Sequence, residues 1–152
     1  MVDTATGALI ERKLVLLITY LDELRPLVEG SPKTPVSGNV ARRAIERLVQ
    51  LIVEVTADTN DLLVVALGGP QPQTTRDGFR AMASANVLSE PLTSRFIASY
   101  VGLRNRIVHD YDVLNPHLVE QAASRLLKDA SEYGAQVKAW IETTGTQKQA
   151  DE

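Results

Sequence analysis

The apolar residues of this chain recur at alternating spacings of three and four, which is the spacing of one face of an α-helix. The first such stripe consists of Ile10, Leu14, Leu17, Leu21, Leu24 and Val28. Pro26 stands near the end of this segment, and Gly30 and Pro32 break it. The pattern therefore predicts an amphipathic helix over residues 7–28.

A second, longer helix is predicted to begin after Ser37, which has the right chemistry for an N-cap. Its predicted buried stripe consists of Val40, Ala44, Leu48, Leu51, Val55, Leu62 and Ala66. Polar Asp58 and Thr59 interrupt this stripe, so the helix either bends there, lines a pocket or is exposed on that turn. Two glycines and two prolines within Gly68–Gln73 then predict a loop.

A short helix or helical turn is expected within residues 76–88, with Phe79 and Met82 facing inward. Pro91 is then favourably placed in the first turn of a third long helix. The buried face of this helix is predicted to consist of Leu92, Phe96, Tyr100, Leu103 and Ile107.

The last helix is predicted to start with Asn115 as its N-cap and Pro116 as its first residue, while Leu114 packs against Val119. Its stripe is Val119, Ala122, Leu126, Ala130, Tyr133, Val137 and Trp140. From Thr143 the chain is polar, so residues 1–143 are predicted to form one domain and residues 144–152 a frayed tail. Because no segment alternates like a strand, the predicted fold class is all-α: an antiparallel four-helix bundle with an additional short helix.

Composition limits the classes of function. With 152 residues, 44% of them hydrophobic and 23% charged, the chain has the make-up of one globular domain. The absence of cysteine excludes disulfide frameworks, thiolate zinc sites and thiol nucleophiles. Since the two histidines lack metal-ligand spacing, neither a metal nor another cofactor is predicted. The sequence has no signal-peptide start or membrane-length apolar run, which favours a cytoplasmic protein without a membrane partner.

The formal net charge of −3 argues weakly against a surface that coats nucleic acid. It still allows a local basic pocket, and two sets of arginines are candidates for one: Arg95, Arg104 and Arg106, and Arg42, Arg43 and Arg47. Any nucleic-acid activity is therefore expected to be confined to a site.

Residues 102–111 concentrate the candidate chemistry in the sequence GLRNRIVHDY. Histidine titrates near neutral pH, so His109 can take a proton from an RNA 2′-hydroxyl or give one to the leaving oxygen. Arg104 or Arg106 can stabilise the negative charge that grows on the phosphate. Asn105 can hold His109 or a substrate oxygen through a hydrogen bond. This set suits RNA cleavage without metal, because the 2′-hydroxyl is itself the nucleophile.

Spacing alone does not bring these residues together. On a straight helix Arg104 and His109 point about 140° apart, since each residue advances about 100°. Either the helix is distorted after Arg104, or the long guanidinium reaches round, or a second subunit completes the site. Arg106 is nearer to His109 on the helix surface, so the working arginine is left open. His117, in the last helix, is expected to be structural.

The combination Arg104-x4-His109-x-Tyr111, with Asn105 directly after the arginine, resembles the signature of HEPN-domain ribonuclease toxins of the HepT type. The similarity extends over roughly residues 9–140. It includes, in the same order, a long second helix with Glu54, Asp58 and Asn60, the Gly-Pro break, the turn at Gly78-Phe79 and the helix from Pro91. The resemblance implies a homodimer of helical bundles in which Arg104 and His109 act in a shared cleft, supported by Asn105.

The same resemblance implies an endoribonuclease toxin of a toxin–antitoxin pair, with RNA as its substrate and an MntA-like nucleotidyltransferase antitoxin as its partner. Tyr111 would then accept adenylyl groups. The bulk of these groups would fill the cleft, and their negative charge would repel the RNA backbone.

Two alternatives stay open. One is a non-catalytic HEPN dimer that binds a nucleotide or the nucleotidyltransferase and serves as its substrate or regulator. The other is a structural helical dimer whose polar cluster is only a solvated helix end. Substitution of His109 separates the enzyme from both, because only a catalytic histidine has cleavage to lose.

Overall fold

The computed structural model describes residues 2–30, 38–109 and 114–150, with the backbone alone described for 145–150. This part of the chain is helical and contains no strand. The helices are α1 (Thr4–Glu29), α2 (Gly38–Ala66), α3 (Thr75–Ser84), α4 (Glu90–Arg95), α5 (Val101–His109) and α6 (Pro116–Ala150), with a π-helical turn over Phe96–Tyr100 between α4 and α5. The predicted all-α bundle with an additional short helix is confirmed.

Side-chain caps determine where several helices begin. The Ser89 hydroxyl accepts a hydrogen bond from the backbone N–H of Leu92 at 3.3 Å, and Pro91 lies in the first turn, as predicted. Asn115 Oδ1 accepts from the backbone N–H of His117 at 3.0 Å, so the predicted start of the last helix is confirmed. The predicted cap Ser37 lies outside the described residues.

The predicted stripes of α1 and α6 face the core. Ile10, Leu17, Leu21 and Leu24 of α1 are buried, as are Val119, Ala122, Leu126, Ala130, Tyr133 and Val137 of α6. Phe79 and Met82 of α3 are also fully buried, as predicted. The hydrophobic core therefore lies between the long helices and is closed on one side by α3.

The predicted stripe of α2 is wrong at its start. Val40 is 56% exposed, whereas Ile45, Val49, Ile52 and Val53 are buried. The physical reason is that α2 packs against α1, α3, α5 and α6 and so buries most of its circumference. A helix that is apolar on several faces does not reveal one inward face by its spacing.

The polar interruption in α2 is buried on one side rather than exposed. Thr56, Thr59 and Asn60 are at most 1% exposed. The hydroxyl of Tyr133, on α6, lies 2.7 Å from Asn60 Oδ1 and 3.1 Å from the carbonyl oxygen of Thr56. Burial raises the pKa of Tyr133 far above its usual range, so this hydroxyl stays protonated and donates.

An aromatic cluster includes the ring of Tyr133. The ring of Phe96 stacks on Phe79 at a centroid distance of 4.8 Å, and it meets Tyr100 and Tyr133 at 5.1 and 5.8 Å. Phe96 and Tyr100 bound the π-helical turn. The cluster thus joins α3, the π-helical turn and α6.

The helix α6 continues past Thr143 to Ala150. The boundary of the domain at residue 143 and the fraying of the tail stay predictions. Among the described residues, no helix is long and apolar enough to cross a membrane.

We expect Tyr133→Phe to lower the free energy of unfolding by about 1–3 kcal/mol, because the change leaves the buried Oδ1 of Asn60 without its donor. Urea unfolding followed by circular dichroism measures the effect. Tyr20→Phe is the matched control: Tyr20 is half-buried on α1, and its hydroxyl bonds to no described residue. Equal stability changes in the two variants would contradict a role for the Tyr133 hydrogen bonds.

Candidate active site

The helix α5 carries the candidate residues and packs against α2. It is regular α-helix from Val101 to His109, and the distortion of this segment lies before it, in the π-helical turn. A distortion between Arg104 and His109, one of the three arrangements considered above, is therefore not observed. The two side chains leave α5 in different directions.

Arg104 is held against α2. Its Nη2 donates to Glu54 Oε1 at 3.3 Å, and its Nη1 donates to Asn105 Oδ1 at 3.1 Å. Gln50 Nε2 donates to the same Glu54 oxygen at 3.0 Å. The Arg104 and Glu54 side chains are only 30% and 34% exposed. The described contacts of the guanidinium are therefore with Glu54 and Asn105, and none of them is with His109.

The Nε of Arg104 is buried and has no hydrogen-bond partner among the described residues. Glu54 compensates part of the charge of the guanidinium. This pairing was not predicted from the sequence. The available signal was a single carboxylate among the apolar residues of Leu51–Val55.

The other predicted site residues are exposed. His109, Arg106 and Asn105 all face solvent on α5. His109 makes no hydrogen bond with a described residue, and Arg106 pairs with no described carboxylate. Tyr111, the predicted modification site, lies outside the described residues. His117 is exposed on α6, where its Nε2 lies 3.3 Å from Nε2 of Gln121.

The first predicted set of arginines does not form a basic pocket. Arg95 donates to Asp129 at 3.0 Å and to Glu132 at 2.9 Å. Asp129 also accepts from the hydroxyl of Tyr100, and burial together with this carboxylate raises the pKa of Tyr100. Since Arg104 pairs with Glu54, two of the three arginines in this set are compensated by carboxylates.

The second set of arginines does share a groove. We call it the arginine groove; its volume is about 630 Å³, and it is lined by Arg42, Arg43, Glu46, Arg47, Gln50, Ile107, Leu114 and Pro116. It lies between α2, α5 and the start of α6. Gln50 connects it to the pair of Glu54 and Arg104. Within the described ranges, no group of three or more histidine, aspartate or glutamate residues is placed to hold a metal ion.

Residues 17–137 match the protein family described as HepT-like, ribonuclease HepT-like. The chain belongs to the HepT-like ribonuclease family. The resemblance inferred from the Arg-x4-His-x-Tyr motif is thereby confirmed at the level of the family.

Two curated relatives of this HepT-like chain act on different RNAs. The tRNA nuclease HepT of Aphanizomenon flos-aquae is 32% identical over 135 residues, which cover 89% of this chain and 91% of the relative. The mRNA nuclease HepT of Shewanella oneidensis is 37% identical over 68 residues, which cover 45% of this chain and 50% of that protein.

Among solved structures, the tri-AMPylated HEPN toxin of Shewanella oneidensis in complex with its MNT antitoxin has a TM-score of 0.75. It is 24% identical, and the match covers 86% of this chain and 96% of the toxin. The likeness shows that the HepT-like chain has the fold of a HEPN toxin.

Proposed function

We propose that this chain is a metal-independent endoribonuclease toxin of a toxin–antitoxin pair, and that it cleaves RNA with Arg104 and His109. The proposal rests mainly on the contacts that hold Arg104 in place, in a chain that belongs to a ribonuclease family. Its guanidinium is fixed by Glu54 and Asn105, and it lies on the same short helix as an exposed histidine. A fixed cation can stabilise the charge that develops on the phosphate, and an imidazole can transfer the proton, so the two groups suit cleavage through the 2′-hydroxyl.

In the proposed reaction the RNA 2′-oxygen attacks the adjacent phosphorus, and the 5′-oxygen of the next nucleotide leaves. The 2′-hydroxyl loses a proton, and the leaving oxygen gains one. His109 performs one of these transfers, because an imidazole is both acid and base near neutral pH. Arg104 donates hydrogen bonds to the non-bridging oxygens, where negative charge increases in the transition state.

The proposed site is composite. Arg104 points to Glu54 while His109 leaves the regular helix about 140° away, so one subunit does not direct both groups at one phosphate. A two-fold dimer that joins the α5 helices would place Arg104 of one subunit opposite His109 of the other. Among the three arrangements considered from the sequence, the contact between Arg104 and Glu54 supports this one.

Between the two candidate arginines, we assign catalysis to Arg104. Arg106 is exposed and has no described partner that orients it, so it would lose more side-chain entropy on binding a phosphate. Arg104 is already oriented by Glu54, which lowers the cost of placing it in the transition state.

The similar proteins also support a partner. The structure of the Shewanella oneidensis toxin contains an MNT antitoxin, and that toxin is tri-AMPylated. We infer a nucleotidyltransferase antitoxin for this chain, with Tyr111 as the acceptor of adenylyl groups. We assign no RNA target to this chain, since one relative is a tRNA nuclease and the other is an mRNA nuclease.

We expect His109→Ala to slow RNA cleavage by at least about 10²-fold, because the proton transfer loses its catalyst. Arg104→Ala should slow it by about 10²–10³-fold, through lost stabilisation of the transition state. Cleavage of total RNA in the presence of EDTA, followed on denaturing gels, measures both effects.

His117→Ala is the matched control, since His117 is the other histidine and is also exposed. The Arg104 variant should remain folded, because an ion pair that is one-third exposed contributes less than about 1 kcal/mol. Cleavage that survives in His109→Ala, or that is lost equally in His117→Ala, would argue against the assignment. Intact RNA with the wild-type protein would favour the non-catalytic HEPN dimer.

Mixed dimers of Arg104→Ala and His109→Ala subunits test the composite site. If the two groups of a site come from different subunits, each mixed dimer contains one intact site and one site that lacks both groups, so it should retain about half of the wild-type activity. The two inactive variants are co-expressed with different affinity tags, and the doubly tagged dimer is assayed for cleavage. An inactive mixed dimer would show that each subunit supplies both groups.

For Tyr111 we expect incubation with the nucleotidyltransferase and ATP to increase the intact mass by whole AMP units and to abolish cleavage. Tyr111→Phe should show no mass increase at this position, and Tyr20→Phe controls for loss of a tyrosine elsewhere. An unshifted wild-type mass with an active transferase would refute the modification.

A further inference from the structure

We propose that Arg43 and Arg47 of α2 bind backbone phosphates of the RNA strand in the arginine groove and guide the strand to Arg104. The inference rests on the proposed ribonuclease function and extends it by assigning the surface that holds the substrate. The ligand class is the sugar–phosphate backbone of a single strand, recognised by charge and not by base sequence.

The two arginines belong to a row of polar residues on one face of α2 that ends at Glu54. Arg43, Arg47, Gln50 and Glu54 follow one another at spacings of four, three and four, so they lie along one face of α2. The two arginines are exposed, whereas Gln50 and Glu54 are partly buried. The face therefore leads from open, cationic surface to the carboxylate that holds Arg104.

The distances between these residues along the axis of α2 match the spacing of phosphates on a nucleic-acid strand. Arg43 and Arg47 are separated by one helical turn, about 6 Å along the axis, which is close to the separation of neighbouring phosphates on one strand. Arg43 and Glu54 are about 16 Å apart along the axis, a distance that a few nucleotides span. A strand held by the arginines thus reaches the Arg104 region without leaving the surface of α2.

The residues that line the arginine groove give it a net positive charge. Three arginines and one glutamate line the arginine groove. Arg42, Arg43 and Arg47 form no ion pair with a carboxylate of a described residue, in contrast to Arg95 and Arg104. Their forked guanidinium groups are suited to phosphate oxygens. Ile107, Leu114 and Pro116 give the groove an apolar side on which a ribose or base can rest.

The experiment measures binding without cleavage. The probe is a short fluorescein-labelled oligonucleotide of 2′-O-methyl RNA, which lacks the nucleophilic hydroxyl but keeps the phosphates. Fluorescence anisotropy gives the affinity of the full-length protein across a series of KCl concentrations. The test variant is Arg43→Gln/Arg47→Gln. The matched control is Arg76→Gln/Arg80→Gln, which removes two exposed arginines at the same spacing from α3.

We expect weaker binding by the test variant and a shallower plot of log affinity against log salt. Each lost phosphate contact to a single strand reduces the slope by about 0.7, so two contacts reduce it by about 1.4. The control variant should retain the wild-type slope, and both variants should unfold at the wild-type temperature.

Equal slopes for the two double variants, or no binding of the probe by the wild type, would overturn the proposal. So would a test variant that binds the probe normally but no longer binds its antitoxin, since the groove would then be a protein interface. Cleavage of unmodified RNA by the wild type is measured in parallel. Binding without cleavage would count against the ribonuclease function, whereas cleavage with an unchanged slope would count against the groove alone.

Discussion

The hydroxyl of Tyr133 lies in the middle of the bundle and bonds to the side chain of Asn60 and the backbone of Thr56. A shift of α6 along α2 by one residue would leave the buried Oδ1 of Asn60 without its donor, at a cost of about 1–3 kcal/mol. The Tyr133 ring also contacts Phe79 and Phe96, so the same residue aligns α3 and the π-helical turn. Because Glu54 lies on α2 less than two turns before Asn60, this alignment also determines which part of α2 faces the candidate site.

The π-helical turn then determines which face of α5 meets that carboxylate. A π-helical turn contains one residue more than an α-helical turn, so the residues after it are rotated relative to an uninterrupted helix. Tyr100 and Val101 are both buried at the end of the turn, and Arg104 follows about one turn later, beside Glu54. The distortion that the sequence left open thus lies before Arg104, where it orients the arginine, and not between the arginine and His109.

Local chemistry was sufficient to predict most of the fold. Caps such as Ser89 and Asn115, and stripes confined to one face, as in α6, depend on neighbouring residues alone. The prediction failed where burial depends on distant partners. Val40 is apolar but 56% exposed, and Thr59 is polar but buried. The partners of Asn60 and Arg104 are 73 and 50 positions away, a distance at which spacing carries no information.

The charged residues of the candidate site could not be ranked from the sequence for the same reason. Residue types alone nominated two sets of three arginines, and nothing in the sequence ranked them. Packing separates the sets, because α6 brings Asp129 and Glu132 to Arg95, whereas the exposed arginines of α2 form no ion pair with a described carboxylate. A net charge of −3 is therefore a poor guide to nucleic-acid binding in this protein. The carboxylates of Asp129, Glu132 and Glu54 pair with Arg95 and Arg104, whereas the arginine groove, beside the arginine that we assign to catalysis, is lined by three arginines and one glutamate.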